Sequence, residues 1–330
     1  MSKPKVGLVG GGSWATAIAK MLCKNHETIH WWVRNEYTKE YILKHKHNPN
    51  YLTAVEFSPS QLLLTTDINE LVENSDWIIM ATPSIHLEAC LENLTTSIEN
   101  KLIVSAIKGI VPGHLKIVGE YLHDEFQMNY ENFGVICGPC HAEEVALERL
   151  SYLTIAAQDK EKAKLVADGL ACSFIKTTVS EDIFGTEYAA VLKNIYAIAA
   201  GIAHGLGYGD NFQAVLMSNA TREMNRITQH ISPIKRDVKE SAYLGDLLVT
   251  GYSNFSRNRM FGNMIGKGYT VKSAILEMNM VAEGYYATQS VYQLKKILEV
   301  KAPILAAVYK TLYAGKEPKK VFARLANKLN

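Results

Sequence analysis

Short apolar runs separated by amphipathic stretches fill the first half of the chain. Runs at residues 6–9, 28–33, 62–65, 77–81, 102–105, 134–136, 153–157 and 174–177 have strand length, and helix-like stretches such as 14–24, 87–93 and 161–171 lie between several of them. This alternation predicts an α/β fold, a doubly wound parallel sheet covered by helices on both faces. The rhythm changes near residue 185. Stretches 188–203, 212–227 and 281–300 carry long helical patterns, and Phe212, Leu216, Ala220 and Met224 recur every fourth position. The second half is expected to be all-helical.

Length and composition sharpen that outline. A chain of 330 residues is too long for one ordinary core, so an α/β domain over 1–184 and a helical domain over 185–330 are expected. The formal net charge of +2 gives no electrostatic basis for nucleic acid or an anionic membrane as partner. The longest apolar stretch, 195–203, is too short to span a bilayer and fits a buried helix. A strand-like run starts at Lys5, leaving no room for a signal peptide, and five cysteines do not make a secreted disulfide framework. A cytoplasmic location is therefore expected.

The first strand runs into Gly10, Gly12 and Ala15, spaced G-x-G-x-x-A, and then into a helix. Gly10 permits a tight turn, Gly12 allows the backbone to approach a pyrophosphate, and Ala15 lets helix and strand pack closely. The pyrophosphate would sit at the positive end of the helix. The first domain is thus expected to be a Rossmann-type, NAD(P)-binding domain. After the second strand come Arg34 and Glu36. Arg34 suits a ribose 2′-phosphate or simply faces solvent, while Glu36 stands late for a ribose hydroxyl. NADPH is favoured and NADH stays open.

Lys193 and Asn194 interrupt a mostly apolar helical stretch. Burial disfavours an ammonium, so this lysine could exchange protons near neutrality and act as general acid in a carbonyl reduction; it could equally snorkel at a helix end. Three other segments carry matching chemistry. Lys108 follows a strand, Asp246 offers a carboxylate to orient an ammonium, and Ser256, Arg257 and Asn258 suit an anionic group.

Ordered blocks along nearly the whole chain resemble the bacterial-type NAD(P)-dependent glycerol-3-phosphate dehydrogenases. They are GGGSW at 10–14, NPNYL at 48–52, ATPS at 81–84, KG at 108–109, GPCHAEE at 138–144, LKNI at 192–195, GLGYGDN at 205–211, GDL at 245–247, SRNRMFG at 256–262 and VAEG at 281–284. The resemblance implies reversible reduction of dihydroxyacetone phosphate to sn-glycerol 3-phosphate for phospholipid synthesis, and frequent homodimers. It implies Lys193 as proton donor and acceptor with Asp246 supporting it. Lys108, Gly138, Cys140, Ser256, Arg257 and Asn258 would hold substrate, with Asn194 and Thr250 added to that pocket. Ser13, Trp14, Arg34, Lys108, Ala142, Arg257, Val281 and Glu283 would join Gly10 and Gly12 in meeting the cofactor. The family commonly has serine where this chain has Cys140, and a thiol hydrogen-bonds more weakly. It also usually has another glycine shortly before Gly245, where this chain has Ala242, Tyr243 and Leu244.

Cys137, Cys140 and His141 also match two unrelated patterns. Cys-Gly-Pro-Cys resembles a thioredoxin redox pair, and Cys-x-x-Cys-His a haem attachment site. A dinucleotide-binding context and the absence of an export signal disfavour both, although the spacing allows a reversible disulfide. No second Cys/His pair completes a zinc site, so no metal is expected. The competing functions are a β-hydroxyacid or 6-phosphogluconate-type dehydrogenase, and a dinucleotide-sensing protein without chemistry.

Overall fold

The computed structural model describes residues 3–278 and 281–330 and divides the chain into two compact units. The first unit contains the chain up to Ile107 together with Val118–Ile183. Its strands are β1 (Val6–Val9), β2 (Ile29–Trp32), β3 (Leu62–Thr65), β4 (Trp77–Met80), β5 (Leu102–Ser105), β6 (Phe133–Cys137), β7 (Ser151–Ala157) and β8 (Ile175–Ser180). The interleaved helices are α1 (Ser13–Leu22), α2 (Glu36–His45), α3 (Ile68–Glu73), α4 (Leu87–Leu91), α5 (Val118–Phe126), α6 (Ala142–Ala146) and α7 (Lys160–Leu170).

The strands form one sheet in the order β3-β2-β1-β4-β5-β6-β7-β8. Every residue of β1, β4, β5 and β6 is buried, as expected of strands covered on both faces. At the edges, β3 and β8 are partly exposed. All neighbouring pairs are parallel except β6 and β7, which run antiparallel, so the expected wholly parallel sheet is corrected at that pair. The chain order reverses between β1 and β4, the type of switch point where such sheets bind ligands.

The second unit contains Lys108–Ile117 and Phe184–Asn330. Its helices are α8 (Ile183–Gly205), α9 (Asp210–Ile231), α10 (Asp246–Tyr252), α11 (Arg257–Gly266), α12 (Val271–Glu277), α13 (Glu283–Ile297), α14 (Pro303–Leu312) and α15 (Pro318–Ala326). The expected single break at 184/185 therefore needs amending. The excursion at 108–117, closed by the Val111 N–H donating to the Lys116 carbonyl at 2.9 Å, belongs with the helices. Residues 186–203 of α8 are all buried, and Leu216, Ala220 and Met224 of α9 form the buried stripe that their spacing predicts. Among the described residues, no helix is long and apolar enough to cross a membrane.

Four glycines set the spacing of two helices in this unit. A Cβ at Gly201 would lie 2.0 Å from the carbonyl oxygen of Arg259, and one at Gly262 would lie 2.1 Å from that of Ile198. Gly205 and Gly266 approach each other's backbone one turn further along. Only side chains without a Cβ let α8 and α11 come this close.

Candidate functional site

Lys193 lies inside α8 and is 4% exposed. Its Nζ donates to Oδ1 of Asp246 and, at 3.0 Å, to Oγ1 of Thr250. The Thr250 hydroxyl in turn donates to the Asp246 carbonyl at 2.6 Å. Oδ2 of Asp246 accepts from Lys108 Nζ at 3.3 Å, so one buried carboxylate serves two lysines. Asn194, the residue after Lys193, donates its side-chain amide to the Lys108 carbonyl at 2.8 Å and ties down the 108–117 excursion. The long-range pairing left open by the sequence is thus made within the second unit.

Burial pushes the Lys193 ammonium down to about 7; Asp246 opposes the shift and Lys108 adds to it. Burial acts in the opposite sense on Asp246, but attraction to the two lysines outweighs it and holds the carboxyl below its ordinary value. Lys193 is therefore an amine that can release and regain a proton near neutrality, with an anchored counter-ion. The backbone reaches Asp246 through a π-helical turn at Ser241–Gly245. Gly245 has a right-handed helical conformation there, while Ala242 and Tyr243 fill the interior beneath the turn.

The Ser256–Arg257–Asn258 segment starts α11. Ser256 is its N-cap, accepting from the Arg259 N–H at 3.3 Å. The close α8–α11 packing brings this end beside Asn194. Asn258 Oδ1 accepts from the Gly284 N–H at 2.9 Å, and a Cβ at Gly284 would stand 2.6 Å from the Asn194 carbonyl. Gly284 follows Glu283 at the start of α13, with Val281 half-buried just before. Lys108, Lys193, Asn194, Asp246, Thr250 and Asn258 thus form one connected neighbourhood, with Arg257 half-buried at the start of α11.

The remaining expected residues belong to the first unit. Gly10 has φ +131°, and a Cβ there would lie 2.7 Å from the Ala81 carbonyl at the end of β4. The turn requires glycine at this position. Nothing stands within 4 Å of a Cβ built on Gly12, which leads into α1 without a side-chain cap and without an acidic residue in the first turn. Ser13 is buried and Trp14 half-buried in that turn. An open, uncapped helix N-terminus after a glycine turn fits a pyrophosphate. Arg34 is exposed beyond β2, whereas Glu36 is engaged by the Thr66 hydroxyl at 2.5 Å and by Lys39 at 3.2 Å.

Gly138 has φ +112°, and a Cβ there would lie 2.8 Å from the Tyr152 carbonyl, so it too serves a tight turn. Cys140 and Ala142 are buried in the apolar cluster that includes Ile136 of β6. Cys137 lies one position along the strand, on the opposite face, and donates to the Thr154 carbonyl at 3.4 Å. Both cysteines are free thiols in the structure.

Two contributors escaped the sequence reading. Asn48, 1% exposed, donates to the Gly11 carbonyl and to the Thr16 hydroxyl, each at 3.0 Å, while its Oδ1 accepts from the backbone of Asn50 and Tyr51. The Gly201/Gly205 and Gly262/Gly266 pairs position α11. Their four-residue spacing was available as a signal; nothing local marks the reach of Asn48.

Comparison with known proteins agrees with this arrangement. Residues 5–163 match the family described as NAD-dependent glycerol-3-phosphate dehydrogenase N-terminus, and residues 182–323 match the corresponding C-terminus. A glycerol-3-phosphate dehydrogenase (NAD(P)+) from Staphylococcus carnosus is 33% identical over 94% of this chain and 93% of its own length. The enzyme of that name from Bacillus pumilus is 35% identical over 95% of this chain and 91% of its own. The crystal structure of glycerol-3-phosphate dehydrogenase from Coxiella burnetii has a TM-score of 0.90 and 26% identity, covering 98% of both chains. With both family models matched and relatives of 33–35% identity covering nearly all of its length, the chain belongs to the NAD-dependent glycerol-3-phosphate dehydrogenase family.

Proposed function

We propose that the chain catalyses the NAD(P)H-dependent, reversible reduction of dihydroxyacetone phosphate to sn-glycerol 3-phosphate, supplying glycerophospholipid synthesis. The observation that carries the reading is the buried Lys193 amine, held by Asp246 and Thr250 in a chain of this family. Gly10, Gly12, Ser13 and Trp14 would hold the dinucleotide pyrophosphate at the start of α1, with Ala142, Val281 and Glu283 as further cofactor contacts. The reduced nicotinamide supplies the hydride.

In the reduction, Lys193 Nζ gives its proton to the carbonyl oxygen as negative charge develops there, and regains one from solvent after product leaves. Asp246 and Thr250 hold Nζ in one orientation and limit its rotation. Lys108, paired to the other carboxylate oxygen, adds positive charge where the alkoxide forms. Arg257, Asn258 and Ser256, at the start of α11, would bind the substrate phosphate, for which a guanidinium and a helix N-terminus are suited. Gly138 and Cys140 are retained as substrate contacts only through family likeness; the buried, apolar setting of Cys140 gives its thiol a packing role as well.

Arg34 supports NADPH as a cofactor, because it stands exposed after β2 while Glu36 is already engaged. The reading extends to a cytoplasmic homodimer. Leu276 and Ile297 of the second unit, 76% and 69% exposed, would gain from a covering partner; size-exclusion chromatography with light scattering tests the dimer.

The deciding assay follows cofactor absorbance with purified protein, dihydroxyacetone phosphate and either NADH or NADPH. Turnover with the phosphorylated ketone and little with dihydroxyacetone is the expected result. Turnover only with β-hydroxyacids or 6-phosphogluconate, or cofactor binding without turnover on any of them, would overturn it.

A further inference from the structure

The second unit holds a cavity of about 550 Å³ between α9, the residues leading into α14, and the chain after α15. Arg222 and Arg226 of α9, Lys301 and Lys328 line it. Among the described residues, none of these four cations forms an ion pair with a side-chain carboxylate. The acid in the lining, Glu223, is turned to another task. Its two oxygens accept the N–H groups of Ile304 at 2.8 Å and Leu305 at 2.9 Å, holding the first turn of α14. Arg222 donates to the main-chain and side-chain oxygens of Asn330, at 3.3 and 2.9 Å. Arg226 Nε is buried and has no hydrogen-bond partner among the described residues.

Glu223, the one acid in the lining, attracts Arg226, so the four cations outnumber the acid around one concavity and their net positive field is focused into the space they enclose. An anion balances that charge, and the two guanidinium groups supply forked donors suited to phosphate oxygens. The volume falls within the range of small-molecule sites, roughly 300–1,000 Å³. Apart from Pro303, the rest of the lining is amide or imidazole. Beyond the His230 imidazole it offers no aromatic face for a base, and beyond Pro303 no aliphatic wall for an acyl chain. None of its residues belongs to the Lys193 neighbourhood.

We infer that this cavity is a second ligand site, taking a compact phosphate ester or polyphosphate with at least two negative charges. Pyrophosphate is the probe. Isothermal titration calorimetry on the full chain, at constant ionic strength and with saturating NADPH, is expected to give a saturable site. Arg226→Gln/Lys301→Gln should weaken it ~10-fold or more, the scale of losing one or two charge-assisted hydrogen bonds, with melting temperature and basal turnover retained. Arg257→Gln, which tests the proposed substrate-phosphate position instead, should leave it intact. If the first variant fails to fold, Lys301→Gln/Lys328→Gln, at two exposed positions, replaces it. Non-saturating heats, unchanged affinity in the folded cavity variant, or loss of the site in Arg257→Gln alone would each overturn the inference.

Discussion

Asn48 holds the carbonyl oxygen of Gly11 from a position 37 residues further along the chain. The same amide reaches Thr16 inside α1, so one side chain fastens the glycine turn to the helix that follows. Because its Oδ1 accepts two backbone N–H groups, Asn48 is itself fixed by the loop that carries it.

Asn48→Ala should loosen that turn without touching the proton-transfer group. Dinucleotide affinity is expected to fall about fivefold, as for the loss of one buried hydrogen bond worth ~1 kcal/mol, with kcat at saturation nearly unchanged. Fluorescence titration of the reduced cofactor measures the first and steady-state kinetics the second. An unaltered affinity would remove the positioning role.

Lys193 predicts opposite pH profiles for the two directions. Ketone reduction needs the ammonium, so its rate should decline as pH rises through about 7, and alcohol oxidation should rise over the same interval. Lys193→Ala should lower kcat by about 10²–10⁴-fold, the range of general acid catalysis, while cofactor affinity stays near wild type. Equal losses in both parameters would speak for a structural lysine instead.

Gly262→Ala places a methyl group against the Ile198 carbonyl, where neither backbone can yield without separating α8 from α11. A loss of ~1–3 kcal/mol or more is expected in urea unfolding. Because α11 begins with Arg257, KM for the phosphorylated ketone should also rise. A variant as stable as wild type would mean that the two helices tolerate a wider spacing.

Arg34→Ala should raise KM for NADPH by roughly tenfold while leaving KM for NADH within about twofold, the consequence of losing one charge-assisted contact to a 2′-phosphate. A parallel rise for both cofactors would indicate that Arg34 acts on a feature they share.

Glu223 should make stability depend on pH. Burial raises its pKa from 4.5 to about 7, so folding favours the protonated carboxyl. The folded state binds the extra proton between those values, and stability should be greatest below about 4.5 and fall as pH rises towards 7. The amplitude is up to ~3 kcal/mol. Glu223→Gln should flatten this part of the melting-temperature profile; a slope identical to wild type would assign it to other groups.

The eight strands were legible because β1, β4, β5 and β6 are short, uninterrupted apolar runs, and the long helices because α9 repeats Leu216, Ala220 and Met224 on one face. The reversed direction of β7 was not. Antiparallel and parallel neighbours bury the same side chains, and burial pattern is what an apolar run encodes. Lys193 stood out as a charge in an apolar helix, but its link to Lys108 and Asp246 depends on folding that joins residues 138 positions apart. Asn48 was harder still, since a buried amide in a polar-looking segment resembles any loop asparagine.

The shared carboxylate has an electrostatic consequence for the chemistry. Lys108, Lys193 and Asp246 together carry one net positive charge while both amines are protonated. Handing one proton to a nascent alkoxide leaves the trio neutral, so no uncompensated charge is stranded in a buried place at the moment of transfer. The reverse reaction starts from that neutral state and takes up a proton without creating a pair of unopposed ammonium groups. Replacing Asp246 by an asparagine of the same shape would leave two cations facing each other, and a cluster poised to exchange protons would become one that repels them.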